Sequence, residues 1–562
     1  MLYCRENIFT LQGAERMFIR YYQKGGSEYA EIRTSKRIDG KVRHERTNLG
    51  RVINKEKGVF QNRNRGVFVF TPEGGYQDAY TDDLPTSDTE SPLPDRSARL
   101  AGRELEPVDF GDTFFVTEYI KQMGLYEILE GIIPNKKDTV LSLLLYKIIE
   151  DKKASMHCLT WWLGNYASFL FPNASLASQD ISRCLESLAS QTLQQSFFKK
   201  YLDLLYGNRR MPAILIDSTG LQSAGRMQMV QVSNHNGDVN REVRLIYVVD
   251  RDNHMPVYFR YVQGNIIDST TLVTTYKELK QFGVDVRHAI VDAGYFTEGN
   301  AAELLSNGIP FICRVRLTLK LVTGLMGDSL EGVRDIESSK YAMKYANRLV
   351  YIKKMGTEYC GHAVYLYFGV DSTMKAMQKT KVMFELLESG KSASEIDIEI
   401  MKLGMFCLFS AEDLDEKDIL PLYYTRQLVE QTFDVAKNYA DILPLRVANE
   451  KTLSGHLFLC FIATAIVQHL QKAILEKKIS RKLNPIGVMM SLRNHKSKVF
   501  ENALVPYEPA VENNELYKLF KITVPKEIRL TAKNRQNHDV VVKSSCRSEN
   551  DTVNEDPITD AL

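Results

Sequence analysis

Two short apolar runs, each ending in an aspartate, constrain this chain most: AILID at 213–217 and AIVD at 289–292. A continuous apolar run of this length reads as a strand buried on both faces. A carboxylate at the end of such a strand is costly unless it is paired, hydrogen-bonded or bound to a cation. Around these runs residues 211–316 alternate between strand and helix patterns. MPAILIDST is a strand, and VRLIYVVD and PVYFRYVQG are a strand pair. TTLVTTYKELKQFG is a helix with a glycine stop, HAIVDAG a short strand, EGNAAELLSNG a helix with a terminal glycine, and IPFICRVR a strand.

Three strands followed by helix and strand is the order of a ribonuclease-H-like fold, an analogy that by itself carries no chemistry. In such a sheet Asp217 and Asp292 emerge side by side at one edge. A third carboxylate can come from LYYTRQLVEQTFDVAK at 422–437. Read as one helix at about 100° per residue, it places Tyr423, Arg426, Glu430 and Lys437 within an arc of roughly 60°. Leu428, Val429, Thr432, Val435 and Ala436 fall on the side that can pack on a core. Three clustered carboxylates repel, and a hard dication relieves that. Mg²⁺ prefers oxygen ligands, and two such ions about 4 Å apart suit phosphoryl transfer. Taken singly, each aspartate also fits a strand-end cap or turn, and a carboxylate between cations fits a salt-bridged surface. Asp434, one turn beyond Glu430, and Asp250, Asp252 and Asp268 remain open as competitors for the third position.

The remainder of the 562 residues needs several cores. Residues 1–72 read as a basic β module, with YAEIRTSKRI and KVRHERTNLGRV joined at Asp39-Gly40, a two-residue hairpin signal. Residues 73–97 are an acidic flexible linker. Residues 98–208 are helical, and SQDISRCLESL after a cap at Ser178 has the length of a recognition helix. Trp161 and Trp162 read as core. The ribonuclease-H-like segment occupies 209–316, an insertion domain 317–409, and the core resumes over 410–475. A basic C-terminal region follows at 476–532, and a disordered tail at 533–562.

Net charge is only +2, but its distribution is uneven. Residues 1–72 hold 15 Lys/Arg against 7 Asp/Glu, residues 73–95 hold 7 Asp/Glu and no Lys or Arg, and residues 472–499 hold 8 Lys/Arg against Glu476. Basic blocks of this kind suit local contact with a polyanion as well as they suit solvated surface. The eight cysteines are scattered without a CxxC, which excludes a zinc knuckle and reads as reduced core thiols. The N-terminus lacks a signal-peptide apolar segment. Leu457 to Val467 is too short to span a bilayer and reads as a buried helix, so no membrane partner is expected. There is no HExxH and no P-loop, which leaves little room for a metalloprotease or a P-loop phosphatase.

Tyr423, two residues, Arg426, three residues, Glu430, six residues, Lys437 resembles the YREK signature of bacterial insertion-sequence DDE transposases. Asp217 in ILIDSTGLQS and Asp292 in IVDAGYFTEGNAAELL resemble that family's two aspartates, and MPVYFRYVQGNIIDSTTL and GHLFLCFIATAIVQHL are similar to its flanking segments. LGRVINKEKGVFQNR loosely resembles the opening module of one subgroup. The resemblance covers roughly residues 209–470. It implies an α/β multidomain chain whose ribonuclease-H-like catalytic core is interrupted by a β-rich insertion, with an N-terminal β module and a helical DNA-binding region. It also implies a cut-and-paste enzyme of the bacterial cytoplasm, associated with the nucleoid. Asp217, Asp292 and Glu430 would hold two Mg²⁺, with Mn²⁺ as substitute. Tyr423, Arg426 and Lys437 would contact DNA. The partners implied are double-stranded DNA, as the element's terminal inverted repeats and as target, and a second copy of the chain. A ribonuclease-H-like nuclease without strand transfer and a catalytically silent DNA-binding regulator are the alternatives.

Overall fold

The computed structural model describes residues 8–10, 16–24, 27–38, 41–62, 66–71, 75–78, 107–150, 153–207, 211–235, 238–326, 335–388, 392–477, 483–500 and 503–530. The chain forms two compact units, Met1–Arg96 and Ser97–Leu562.

The first unit is an antiparallel meander of seven strands in chain order: β1 Ile8–Thr10, β2 Arg16–Lys24, β3 Ser27–Ile38, β4 Lys41–Asn54, β5 Val59–Asn62, β6 Gly66–Thr71 and β7 Gly75–Asp78. Ile38 pairs with Lys41, as a two-residue hairpin requires; the turn residues Asp39 and Gly40 lie outside the described residues. Ala30, Ile32, Leu49, Phe60, Phe68 and Phe70 make the core, with residues of one strand two apart because side chains alternate between faces. The sheet runs past residue 72: β7, at the start of the acidic segment, pairs with β6. The rest of that segment, and the tail from 531, lie outside the described residues.

The second unit opens with β8 (Val108–Asp109) and a helical region whose main members are Gly111–Gln122, Leu125–Ile132, Lys137–Ile149, Ser178–Leu188 and Gln191–Tyr206. The first two of these helices are separated at Gly124, whose φ of 74° is left-handed. Ser178 is the first residue of its helix and makes no side-chain cap; Ala177 is the N-cap. Trp162 is fully buried.

A ten-stranded mixed sheet follows. It contains β9 Ala213–Gln222, β10 Gln231–His235, β11 Asp238–Asp250, β12 Met255–Gln263, β13 His288–Val291, β14 Phe311–Val315, β15 Ala342–Tyr345, β16 Arg348–Tyr359, β17 His362–Asp371 and β18 Met405–Ser410. The order is β10-β11-β9-β13-β14-β18-β17-β16-β15, and β12 pairs with the second half of β11. Among the described strands β13 runs parallel to both β9 and β14; helix Leu272–Gln281 leads from β12 into β13, and helix Glu298–Ser306 crosses from β13 to β14. Central parallel strands are covered on both faces, which is why AILI and HAIV are buried without alternation. Residues 317–409, expected as an insertion domain, extend this same sheet: β18 bonds to β14, and β17, β16 and β15 follow outward.

Helix Gln427–Asn438 lies on β9 and β11, with Phe433 stacked on Tyr247 at 5.3 Å between ring centroids. Behind it runs the long helix Glu450–Glu476. It is long and apolar enough to cross a membrane, but it is buried nearly end to end as the core helix of this unit. Its N-terminus carries a capping box between Asn449 and Thr452. Gly455 lets the helix Ser178–Leu188 approach so closely that a Cβ there would sit 1.8 Å from the Leu185 carbonyl oxygen. Lys147, almost wholly buried, reaches Asp441 at 3.4 Å and ties the helical region to the segment after Asn438.

The C-terminal residues form helix Pro485–Arg493, β19 Lys496–Val499, β20 Ala503–Pro506, helix Val511–Leu519 and β21 Ile528–Arg529. β8 joins β19 to complete a four-stranded sheet. Three described basic residues of this block are engaged internally. Arg493 pairs with Asp112 and Glu150, Lys496 with Asp109, and Lys472 donates to the Asn253 carbonyl. Cys158, Cys184, Cys313, Cys407 and Cys460 are free buried thiols, and Cys360 is free and exposed; Cys4 and Cys546 lie outside the described residues.

Candidate active site

The parallel register of β9 and β13 pairs Ala289 with Ile214 and Val291 with Ile216. Asp217 and Asp292 follow next along the chain and so lie side by side at the same level; Asp292 is just past the end of β13, but β9 runs on to Gln222, so Asp217 sits within its strand rather than at its end as expected. The sequence YYTRQLVE supplies the third group in a form that differs from the expected single helix. Helix Glu416–Tyr424 ends, Thr425 and Arg426 form a tight turn, and helix Gln427–Asn438 begins. Arg426 N–H bonds to the Tyr423 carbonyl at 3.2 Å and Val429 N–H to the Arg426 carbonyl at 3.0 Å, both three residues apart. Such a turn stacks side chains three apart over one another. Tyr423 and Arg426 therefore share a face, with the guanidinium carbon 5.9 Å from the phenol ring centroid.

All three expected acids meet one cation. Arg426 Nη1 lies 3.1 Å from Asp292 and 3.6 Å from Asp217, and Nη2 lies 3.1 Å from Glu430. Tyr423 donates its hydroxyl to Asp292 Oδ1 at 3.2 Å. Burial pushes the Asp217 carboxyl up to about 6; the Ser218 N–H and Arg426 oppose the shift, and Asp292 and Asp268 add to it. Burial also raises the Tyr423 phenol, with Asp292 reinforcing the shift, so the hydroxyl stays a donor. Burial works against the charge on Arg426, but Asp292, Tyr423, Asp217 and Glu430 outweigh it and hold the guanidinium protonated.

The competing acids have other work. Asp268 accepts from Ser218 Oγ at 2.7 Å and from Arg244 at 2.7 and 3.2 Å. Asp250 holds the β11–β12 turn through the N–H groups of Asp252 and Asn253 and takes the Tyr206 hydroxyl. Asp252 pairs with Arg251 and Arg287. Asp434 is exposed and is not among the carboxylates on Arg426. Lys437 does not reach outward: half-buried, it donates to Thr219 Oγ1 at 2.7 Å, and burial lowers its pKa while Asp434 and Glu242 oppose.

A bracing network behind Asp217 was not legible as such. Arg244 on β11 joins Asp268 to Glu242 (3.2 Å) and, through Asp268, to Ser218. Gly220 permits it, since a Cβ there would fall 1.9 Å from a Glu242 carboxylate oxygen. The available signal was the arginine inside the apolar run VRLIYVVD, which needs partners if buried.

The donors Asp217, Asp292 and Glu430 are all hard oxygens and carry three negative charges, a set that fits a hard divalent cation. Among the described residues no three such groups stand close enough together to close on one ion, because a guanidinium lies between these.

The span from before β9 to the middle of the long helix is similar to a known family over somewhat less than half of the chain. Residues 208–466 match the transposase DDE domain. The matched span includes Asp217, Asp292, Tyr423, Arg426, Glu430 and Lys437, and it runs through the outer strands β15–β18. The piggyBac transposase synaptic complex with hairpin DNA, solved by cryo-EM, is 13% identical with a TM-score of 0.34, over 76% of this chain and 84% of that one. No curated protein matches the chain.

Proposed function

We propose that this protein is a DNA transposase that cuts at the ends of its element and joins the freed ends to target DNA. The reading rests on one observation: within the span that matches a DDE domain, an aspartate in β9, an aspartate just past β13 and a helix glutamate converge on a single guanidinium. The core sheet, with three antiparallel strands followed by two parallel strands, would be ribonuclease-H-like.

Asp217, Asp292 and Glu430 would hold two Mg²⁺, or Mn²⁺, whose Lewis acidity when bound serves the attacking and leaving oxygens. The rest falls to the chain's own groups. Arg426 and Tyr423, as a charged fork and a protonated phenol, would hold the non-bridging oxygens of the scissile phosphate. Water attacks the phosphodiester at the element end, the P–O3′ bond breaks, and the departing oxygen leaves as a 3′-hydroxyl. That hydroxyl attacks a target phosphodiester, exchanging one P–O bond for another. Lys437 would fix the end of β9 through Thr219 rather than hold the DNA itself. Terminal inverted repeats and a dimer on DNA complete the proposal, since two ends must be joined.

A supercoiled plasmid carrying the gene's own flanking DNA tests this. Breaks at the element boundaries, and their joining to a second duplex, should need Mg²⁺. Glu430→Gln should lower both by about 10²–10³-fold or more, as loss of one charge-stabilising group does. Boundary-blind nicking that persists in the Glu430→Gln protein would sink the proposal.

A further inference from the structure

We propose that Arg426 is a built-in counter-cation that couples metal binding to DNA binding, an inference that rests on the transposase reading above. In the free protein it holds Asp217, Asp292 and Glu430 together. A phosphodiester oxygen that takes its guanidinium releases those carboxylates to a divalent ion.

Two arginines of the matched span make the contrast. Arg244 is locked: its side chain is 7% exposed and bonds Asp268 at 2.7 Å. Arg426 is held loosely by comparison. Its side chain is 24% exposed, its partners Asp292 and Glu430 are 40% and 52% exposed, and its contacts are 3.1 to 3.6 Å long. The longest of these is an ion pair without a hydrogen bond. One guanidinium against three carboxylates leaves two negative charges uncompensated, which attracts a dication. Yet the oxygens facing Arg426 are ones a dication would take, so the two cations compete. A DNA phosphate offers Arg426 an equivalent bidentate partner. Removing the competitor raises metal affinity, and by linkage bound metal must raise DNA affinity by the same factor.

The test uses the full chain and Mn²⁺, with binding read by electron paramagnetic resonance. Titrations are run with and without a short duplex from the gene's flanking DNA; backbone contact needs no particular sequence. For the wild-type protein the duplex should tighten Mn²⁺ binding by about 5–150-fold, the usual range of such coupling. Arg426→Gln should bind Mn²⁺ more tightly than wild type in the absence of DNA, and the duplex should then change nothing. Arg426→Lys, which keeps the charge and loses the fork, should retain part of the coupling and carries the test if the glutamine variant does not fold. Weaker Mn²⁺ binding by a natively folded Arg426→Gln protein, or coupling equal to wild type, overturns the proposal and leaves the transposase reading standing. Absence of Mn²⁺ binding by wild type, with and without DNA, overturns the metal-dependent reading itself.

Discussion

Asp217 and Arg244 show how much of the site's order lies one layer behind it. Asp217 alone is a buried carboxyl held mostly by its neighbour's N–H and a shared guanidinium. Its neighbour Ser218 is fixed by Asp268, and Asp268 by Arg244. Arg244→Met leaves Asp268 and Glu242 buried without their cation. Breaking a buried pair in this way costs about 3–5 kcal/mol. Urea denaturation of the variant should show a loss of that size, and Glu242→Gln should recover part of it in the Arg244→Met background. An additive double mutant would show that Glu242 and Arg244 are not coupled.

Among the elements, the long helix Glu450–Glu476 carries most of the load, because one face supports Gln427–Asn438 and another meets Ser178–Leu188 and Lys137–Ile149. Gly455→Ala places a methyl against backbone that cannot turn aside. The helices must part, and the expected loss is at least about 1–3 kcal/mol, the usual cost of overpacking, read as a lower midpoint in chemical denaturation. The same helix carries an acid-sensitive group. His456 is fully buried beside Lys147, Cys460 and Asp441, and bonds the Ile442 carbonyl at 3.2 Å. Burial, helped by Lys147, pushes its pKa from 6.5 down to about 3. The unfolded chain therefore binds this proton first. The stability tied to neutral His456 is complete above pH 6.5 and is lost as pH falls toward 3. His469 and His495, also lowered by burial, act with the same sign. Thermal melts from pH 7 to 4 should show a falling midpoint, less steep in His456→Gln.

For the molecule as a whole, the division at residue 96 is the main feature. The core of the second unit draws on the helical region, the ten-stranded sheet, the long helix and the C-terminal strands together. Cutting within it exposes that core; cutting at 96 does not. A fragment of residues 97–562 should fold and melt at the wild-type midpoint, whereas a fragment ending at 475 should be unstable, having lost β19 and the Arg493 pairs with Asp112 and Glu150. A 97–562 fragment that melts well below the full chain would show that the first unit supports the second.

The two buried apolar runs that lead to Asp217 and Asp292, the helices between the strands, the pairing of Ile38 with Lys41 and the buried long helix could all be read along the chain. Each depends on periodicity or on the cost of burying a charge, and both are written in neighbouring residues. That Asp217 and Asp292 share a level also followed, because strand order dictates it. Tertiary packing alone decided three things. Arg426 spans the acids because two helices meet at a tight turn rather than running straight. Lys437 turns inward because Thr219 on β9 lies beneath it. Strands β15–β18 join the central sheet because β14 presents an open edge to β18, and an edge seeks hydrogen bonds wherever the chain can supply them. Those outcomes depend on partners far apart in sequence, and no local pattern records which of several equivalent acids, hydroxyls or strand edges will be within reach.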